Sequence, residues 1–243
     1  DLVNSLRPLL QAMQQGAGAP VAWQLWERWI SEIAADFWSL ARVGVGATMG
    51  LMGVVSLPRP FVFRMNMDDP HPVPWLRVIL SCAMGQAMYP HPQWRRLAQL
   101  WESYYPLAGL PASQRLLLDQ LRQSMPGLVG LMLNHRPAAL RGRSLVDVMQ
   151  VRQRQPTTLA RLFHLWSRAP ALMYRAPPTL VFAVLGQARA NGALVPEEES
   201  ALLSRLLMHW ALRSTIDTAV ICSDAARHRR LAAPARSAGS TES

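Results

Sequence analysis

The chain contains no lysine, so all 25 basic residues among its 243 are arginine, set against 15 carboxylates for a formal net charge of +10. This absence closes several chemistries. A Walker A loop needs a lysine ammonium on the nucleotide phosphates, and Schiff-base or pyridoxal catalysis needs a lysine amine. Neither can be built from these residues. All-arginine usage beside abundant alanine, proline and glycine is what a GC-rich coding sequence produces, and needs no selection for guanidinium chemistry. Cysteine is nearly absent too. Cys82 and Cys222 stand far apart in neither a C-x-x-C nor a zinc-type spacing, which speaks against a disulfide framework and a thiolate metal site and fits a reducing, cytoplasmic setting.

Long apolar runs are also missing. The uncharged stretch VGVGATMGLMGVVSL, residues 43–57, is closed by Arg42 and Arg59 and falls short of the roughly 20 residues that span a bilayer. No transmembrane span is expected. Gly46 and Gly50 stand in a G-x-x-x-G relation, which reads as a buried central helix that admits its neighbours closely, with peripheral membrane contact through 43–57 as the alternative. Catalytic signatures are equally scarce: there is no G-x-S-x-G elbow, no H-E-x-x-H and no glycine-rich dinucleotide fingerprint. No cofactor is expected.

What the sequence does have is helical periodicity. In PVAWQLWERWISEIAADFWSLAR the apolar Trp23, Trp26, Ile30, Ile33, Phe37 and Leu40 step by three and four, with Glu27, Arg28, Glu32 and Asp36 between them, the pattern of an amphipathic helix. Pro92 opens a second helix carrying Trp94, Leu97, Trp101 and Tyr104 on one face, and Pro196 opens a third with Glu197, Glu198 and Glu199 at its positive end. Further helices are expected at 2–14, 74–88, 112–125, 157–168 and 178–190. Only VSLPRPFVFRM, near 55–65, has strand character, so at most one short edge hairpin is expected there. The fold class that follows is all-α, an irregular bundle of about eight to ten helices in a single domain over 1–222, with a sub-boundary near 106–111. The small, polar, basic residues 223–243 read as a disordered tail.

Two features bear on function. From residue 121 onward 16 arginines face 7 carboxylates, whereas before it the two signs nearly balance. The densest stretch, 134–175, holds Arg136, Arg141, Arg143, Arg152, Arg154 and Arg161, then Arg168 and Arg175, opposed by Asp147 alone. Guanidinium groups clamp phosphate and carboxylate bidentately, so these residues point to a non-catalytic binding protein that engages an anionic macromolecule or an acidic protein surface. A solvated face forced by composition would look the same. The second feature is a repeated Pro-His-Pro, in MNMDDPHPVPW (65–75) and YPHPQW (89–94). Proline at a helix start sacrifices no hydrogen bond, so both phrases mark helix entrances where a histidine can cap. The sharper alternatives are a helical enzyme using Asp68, Asp69 and His71 for acid/base work beside an apolar pocket, or a divalent metal held by His71 and His91. A helix over 74–88 would hold those two histidines about 22 Å apart, which argues against a shared metal.

The phrase QARANGALVPEEESALL, residues 187–203, resembles the joint between a helix, a small-residue and glycine turn and a glutamate-rich helix in tellurite-resistance TerB-like helical domains. The resemblance covers one helical hairpin and implies no functional residue. Asn191 and Gly192 are followed by Ala193, Leu194 and Val195, which offer no side-chain oxygen to calcium.

Overall fold

The computed structural model describes residues 2–16, 19–66 and 68–232, with side chains up to Asp224. The chain is all-α. Among the described residues there are twelve α-helices, two 3-10 turns and no strand: α1 (Leu2–Gly16), α2 (Pro20–Val43), α3 (Val45–Val55), α4 (Arg59–Val62), α5 (Pro74–Met88), α6 (Pro92–Tyr104), α7 (Ala112–Asn134), α8 (Leu145–Met149), α9 (Pro156–Arg168), α10 (Ala171–Arg175), α11 (Pro178–Ala190) and α12 (Pro196–Ala232). Six of these begin on a proline, whose fixed φ suits the first turn and whose missing N–H is no loss there. No described helix is long and apolar enough to cross a membrane.

The fold divides into two compact units, Asp1–Leu194 and Val195 onward. In the first unit α2 is the central element. Trp23, Trp26, Trp29, Ile30, Ile33, Phe37 and Leu40 are all buried, and α1, α3, α5, α7 and α11 pack around them. Its negative C-terminal end is answered from a distant part of the chain. Arg154, on the 3-10 turn Val151–Arg154, is buried and donates through Nε to the Arg42 carbonyl at 2.8 Å. That is a cation on carbonyls with no intrahelical partner.

Three stretches take definite form. Residues 55–65 form no hairpin: Pro58 caps the short helix α4, and Arg59 donates to the carbonyls of Pro106 at 2.7 Å and Ala108 at 2.6 Å. Helix α7 does not stop at 125 but runs through Pro126 to Asn134. Buried Leu118, Leu121, Met125, Leu128, Val129 and Met132 continue the same face across the proline, and that burial, at about 1.5–3 kcal/mol per large side chain, outweighs the roughly 3 kcal/mol of the kink. Helix α12 runs to Ala232, and 233–243, the rest of the stretch read as a tail, lie outside the described residues.

The glycines of 43–57 are resolved into one close approach. Gly46 of α3 meets Gly186 of α11, and a Cβ on Gly186 would lie 2.7 Å from the Gly46 Cα. This part of the stretch is a helix-to-helix contact. Only backbone could give way there, so Gly186→Ala should lower stability by about 1–3 kcal/mol. Gly53, exposed on α3 with nothing near its Cβ position, is the control, and Gly53→Ala should raise stability by about 0.5–1 kcal/mol. Urea unfolding of the two variants measures both signs.

Candidate functional site

The loop between α4 and α5 carries Asp68, Asp69 and His71, and the structure separates them. Asp69 and His71 form a dyad. The Asp69 carboxylate accepts the His71 backbone N–H at 3.0 Å and lies 2.8 Å from the His71 Nδ1. Arg64 donates to its other oxygen at 3.1 Å. The His71 backbone N–H, then its ring, then the Arg64 charge hold the Asp69 carboxyl below its ordinary pKa, so it stays ionised and can only accept. His71 thus presents Nδ1 to the Asp69 carboxylate, and its Nε2 lies 3.8 Å from the Glu32 carboxylate. Asp68 points elsewhere. Its side chain is 94% exposed, with Arg28 3.8 Å away, and it lines a separate surface recess with Arg7 and Glu27.

Trp29 anchors this loop to α2 by donating its indole N–H to the Asp69 carbonyl at 3.1 Å. Beyond the dyad the charges alternate. Arg77 of α5 reaches Glu32 at 3.3 Å and grips Asp36 through both Nε and Nη2, the latter at 2.8 Å. That bidentate bond raises the Arg77 pKa above its usual value. A cleft of about 290 Å³ opens over the arrangement, lined by the apolar Leu57, Phe61 and Val73 together with Arg64, Asp69, His71 and Arg77. Both Leu57 and Phe61 are exposed. The lining thus combines apolar side chains with charged groups of both signs and an imidazole.

Glu32, Asp36, Arg64 and Arg77 were not among the expected site residues, because charges between the apolar positions of α2 read as a solvent face. Their signal was the i, i+4 spacing of Glu32 and Asp36, which stacks two carboxylates on one helix face where an arginine from a neighbour can dock.

The two histidines stand at opposite ends of α5. His91 is the N-cap of α6, its Nδ1 accepting the Gln93 N–H at 3.3 Å, and it lines a different recess from His71. Among the described residues no three of His, Cys, Asp and Glu are grouped as metal ligands. The 15-residue helix α5 stands between the two entrances.

The arginines of 134–175 fall into two groups. Arg136, Arg141, Arg143, Arg152, Arg161, Arg168 and Arg175 are exposed. Arg136 and Arg143 hold their loop by donating to the carbonyls of Gly142 at 2.6 Å and Asp147 at 3.4 Å, while Arg141 sits in the left-handed region at φ 52. Arg154 corrects the expectation. It is buried, so the end of α2 takes its charge and it is no part of a binding surface. Of the remaining nucleophiles, Cys82 is buried in α5, and burial first, then the Glu102 charge, pushes its thiol up to about 12.

No protein-family model, no curated protein and no solved structure matches the chain.

Two measurements check this description. An Ellman titration at pH 8 should count one fast thiol per native chain, the exposed Cys222, and two after denaturation, because the Cys82 thiolate is unavailable. In a carbon-detected NMR titration the Asp69 carboxyl should have its midpoint below 3.8 and move up toward it in His71→Ala. The dyad's contribution to stability should be present above the ordinary carboxylate pKa and vanish as pH falls through the lowered one.

Proposed function

We propose that the protein is a non-catalytic binding protein that engages an anionic partner through its exposed arginines between 136 and 175. The observation that carries this reading is the charge balance of that surface: seven exposed guanidinium groups against the single carboxylate of Asp147. Each guanidinium has five N–H donors, so the loop bonds of Arg136 and Arg143 leave donors over for a phosphate or carboxylate. Arg161 and Arg168 are seven residues apart on α9 and therefore lie on one face of it. Affinity from such contacts falls steeply with salt.

Heparin serves as the test polyanion. Arg141→Glu/Arg143→Glu/Arg152→Glu should weaken binding by about tenfold or more, equivalent to about 1.4 kcal/mol. The control variant Arg95→Glu/Arg96→Glu/Arg115→Glu changes residues outside this stretch by the same net charge, and should bind close to wild type. Equal losses in the two variants would mean that net charge alone attracts polyanions, and would sink the reading.

A second reading rests on a separate observation, the His71 ring anchored through Nδ1 on Asp69 in a cleft that Leu57 and Phe61 also line. That arrangement suits a general base acting on a small apolar substrate. It is tested with a panel of ester, amide and phosphate substrates: turnover lost in both His71→Ala and Asp69→Asn supports it, and rates equal to wild type exclude it.

A further inference from the structure

Every residue of α12 from Ala211 to Asp224 is exposed, an unusual condition for a segment that contains Leu212, Ile216, Val220 and Ile221. Met208, Leu212, Ile216 and Val220 recur at every fourth position and are 53–63% exposed, so they form a stripe along one side of the helix. Thr215, Ile216, Thr218, Val220 and Cys222 are weak helix formers, and intrinsic propensity does not hold such a stretch helical in water. A partner that buries the stripe does.

We propose that this partner is a second copy of the chain, and that two α12 helices pack antiparallel about a two-fold axis level with Ser214. In that register Met208 of one copy lies level with Val220 of the other, and Leu212 with Ile216. Each contact then occurs twice, as an isologous interface requires. The stripe alone allows either direction, and charge decides between them. Arg205 and Asp224 are both exposed on the helix, Arg205 nine residues before Ser214 and Asp224 ten residues after it. Antiparallel packing sets acid along base at both ends; parallel packing would set like charge on like. Arg213 and Asp217, 3.8 Å apart within one helix, flank the stripe and bring opposite signs together again across the axis. This pairing uses none of the residues from 136 to 175, so it stands or falls separately from the proposed anion surface.

Light scattering of the full chain from about 1 to 200 µM tests the association. The mass should rise from 27.1 kDa toward twice that value, and Leu212→Glu/Ile216→Glu should remain monomeric with its helical circular dichroism retained. A wild-type chain that stays monomeric throughout, or a dimer indifferent to the double substitution, overturns the proposal. The direction is read from a spin label on Cys222, the exposed thiol, since Cys82 is buried. Antiparallel packing separates the two labels by sixteen residues of rise, about 24 Å along the axis. A distance near the 8–10 Å that separates packed helix axes, or a disulfide joining two Cys222 residues on mild oxidation, would mean parallel helices and overturn the register.

Discussion

Burying tryptophan imposes a condition that burying leucine does not: each indole N–H needs an acceptor inside the protein, and leaving one unpaired costs about 1–3 kcal/mol. Five buried tryptophans meet this condition in the first unit, two of them at the C-terminal ends of helices. Trp75 donates to Tyr105, the C-cap of α6, and Trp94 to Tyr89, the C-cap of α5. Tyr89 in turn donates its hydroxyl to the Ala41 carbonyl in the last turn of α2. Trp26 finds the Ser124 hydroxyl on α7, Trp101 the carbonyl of Trp75, and Trp29 that of Asp69. Helix ends leave carbonyls without partners, and indoles leave donors without partners. Each deficit satisfies the other, and the ends of α2, α5 and α6 are tied together in the process. Gly85 is part of the same arrangement, since a Cβ there would lie 2.5 Å from the Trp94 ring.

The candidate cleft inherits its geometry from this network. Trp29 fixes the Asp69 carbonyl, the Asp69 carboxylate fixes the His71 ring, and Arg77 ties α5 to the carboxylates of α2. The dyad is held by a loop, but the loop is pinned to the central helix of the unit. The exposed arginine segment is held differently. Its bonds run from Arg136 and Arg143 to carbonyls within a few residues, which shapes the loop itself.

Helix positions were legible because apolar spacing and proline both act locally. Pro74, Pro92, Pro178 and Pro196 each begin a helix where the sequence puts one. The errors came where a distant partner decides. Pro126 stops a helix in isolation, but the burial of Leu128, Val129 and Met132 beyond it carries α7 onward. The candidate site divides the same way. The proximity of Asp69 and His71 follows from two residues of chain, whereas Glu32, Asp36 and Arg77 join them only because α2 and α5 pack together. Charge counting along 134–175 could not tell Arg154 from its neighbours, since its burial depends on Arg42 and Thr179, far away in sequence.

Arg154 has a consequence for how the unit comes together. A buried lysine or carboxyl group can shed its charge when its partner is missing, but a guanidinium cannot. A state in which the Val151–Arg154 turn had left water without reaching the end of α2 would strand an ion in an apolar setting. No stable half-way position exists, so the turn and the helix end come together or stay apart in one step. A single side chain thereby makes the arrival of the segment before α9 cooperative with the completion of α2.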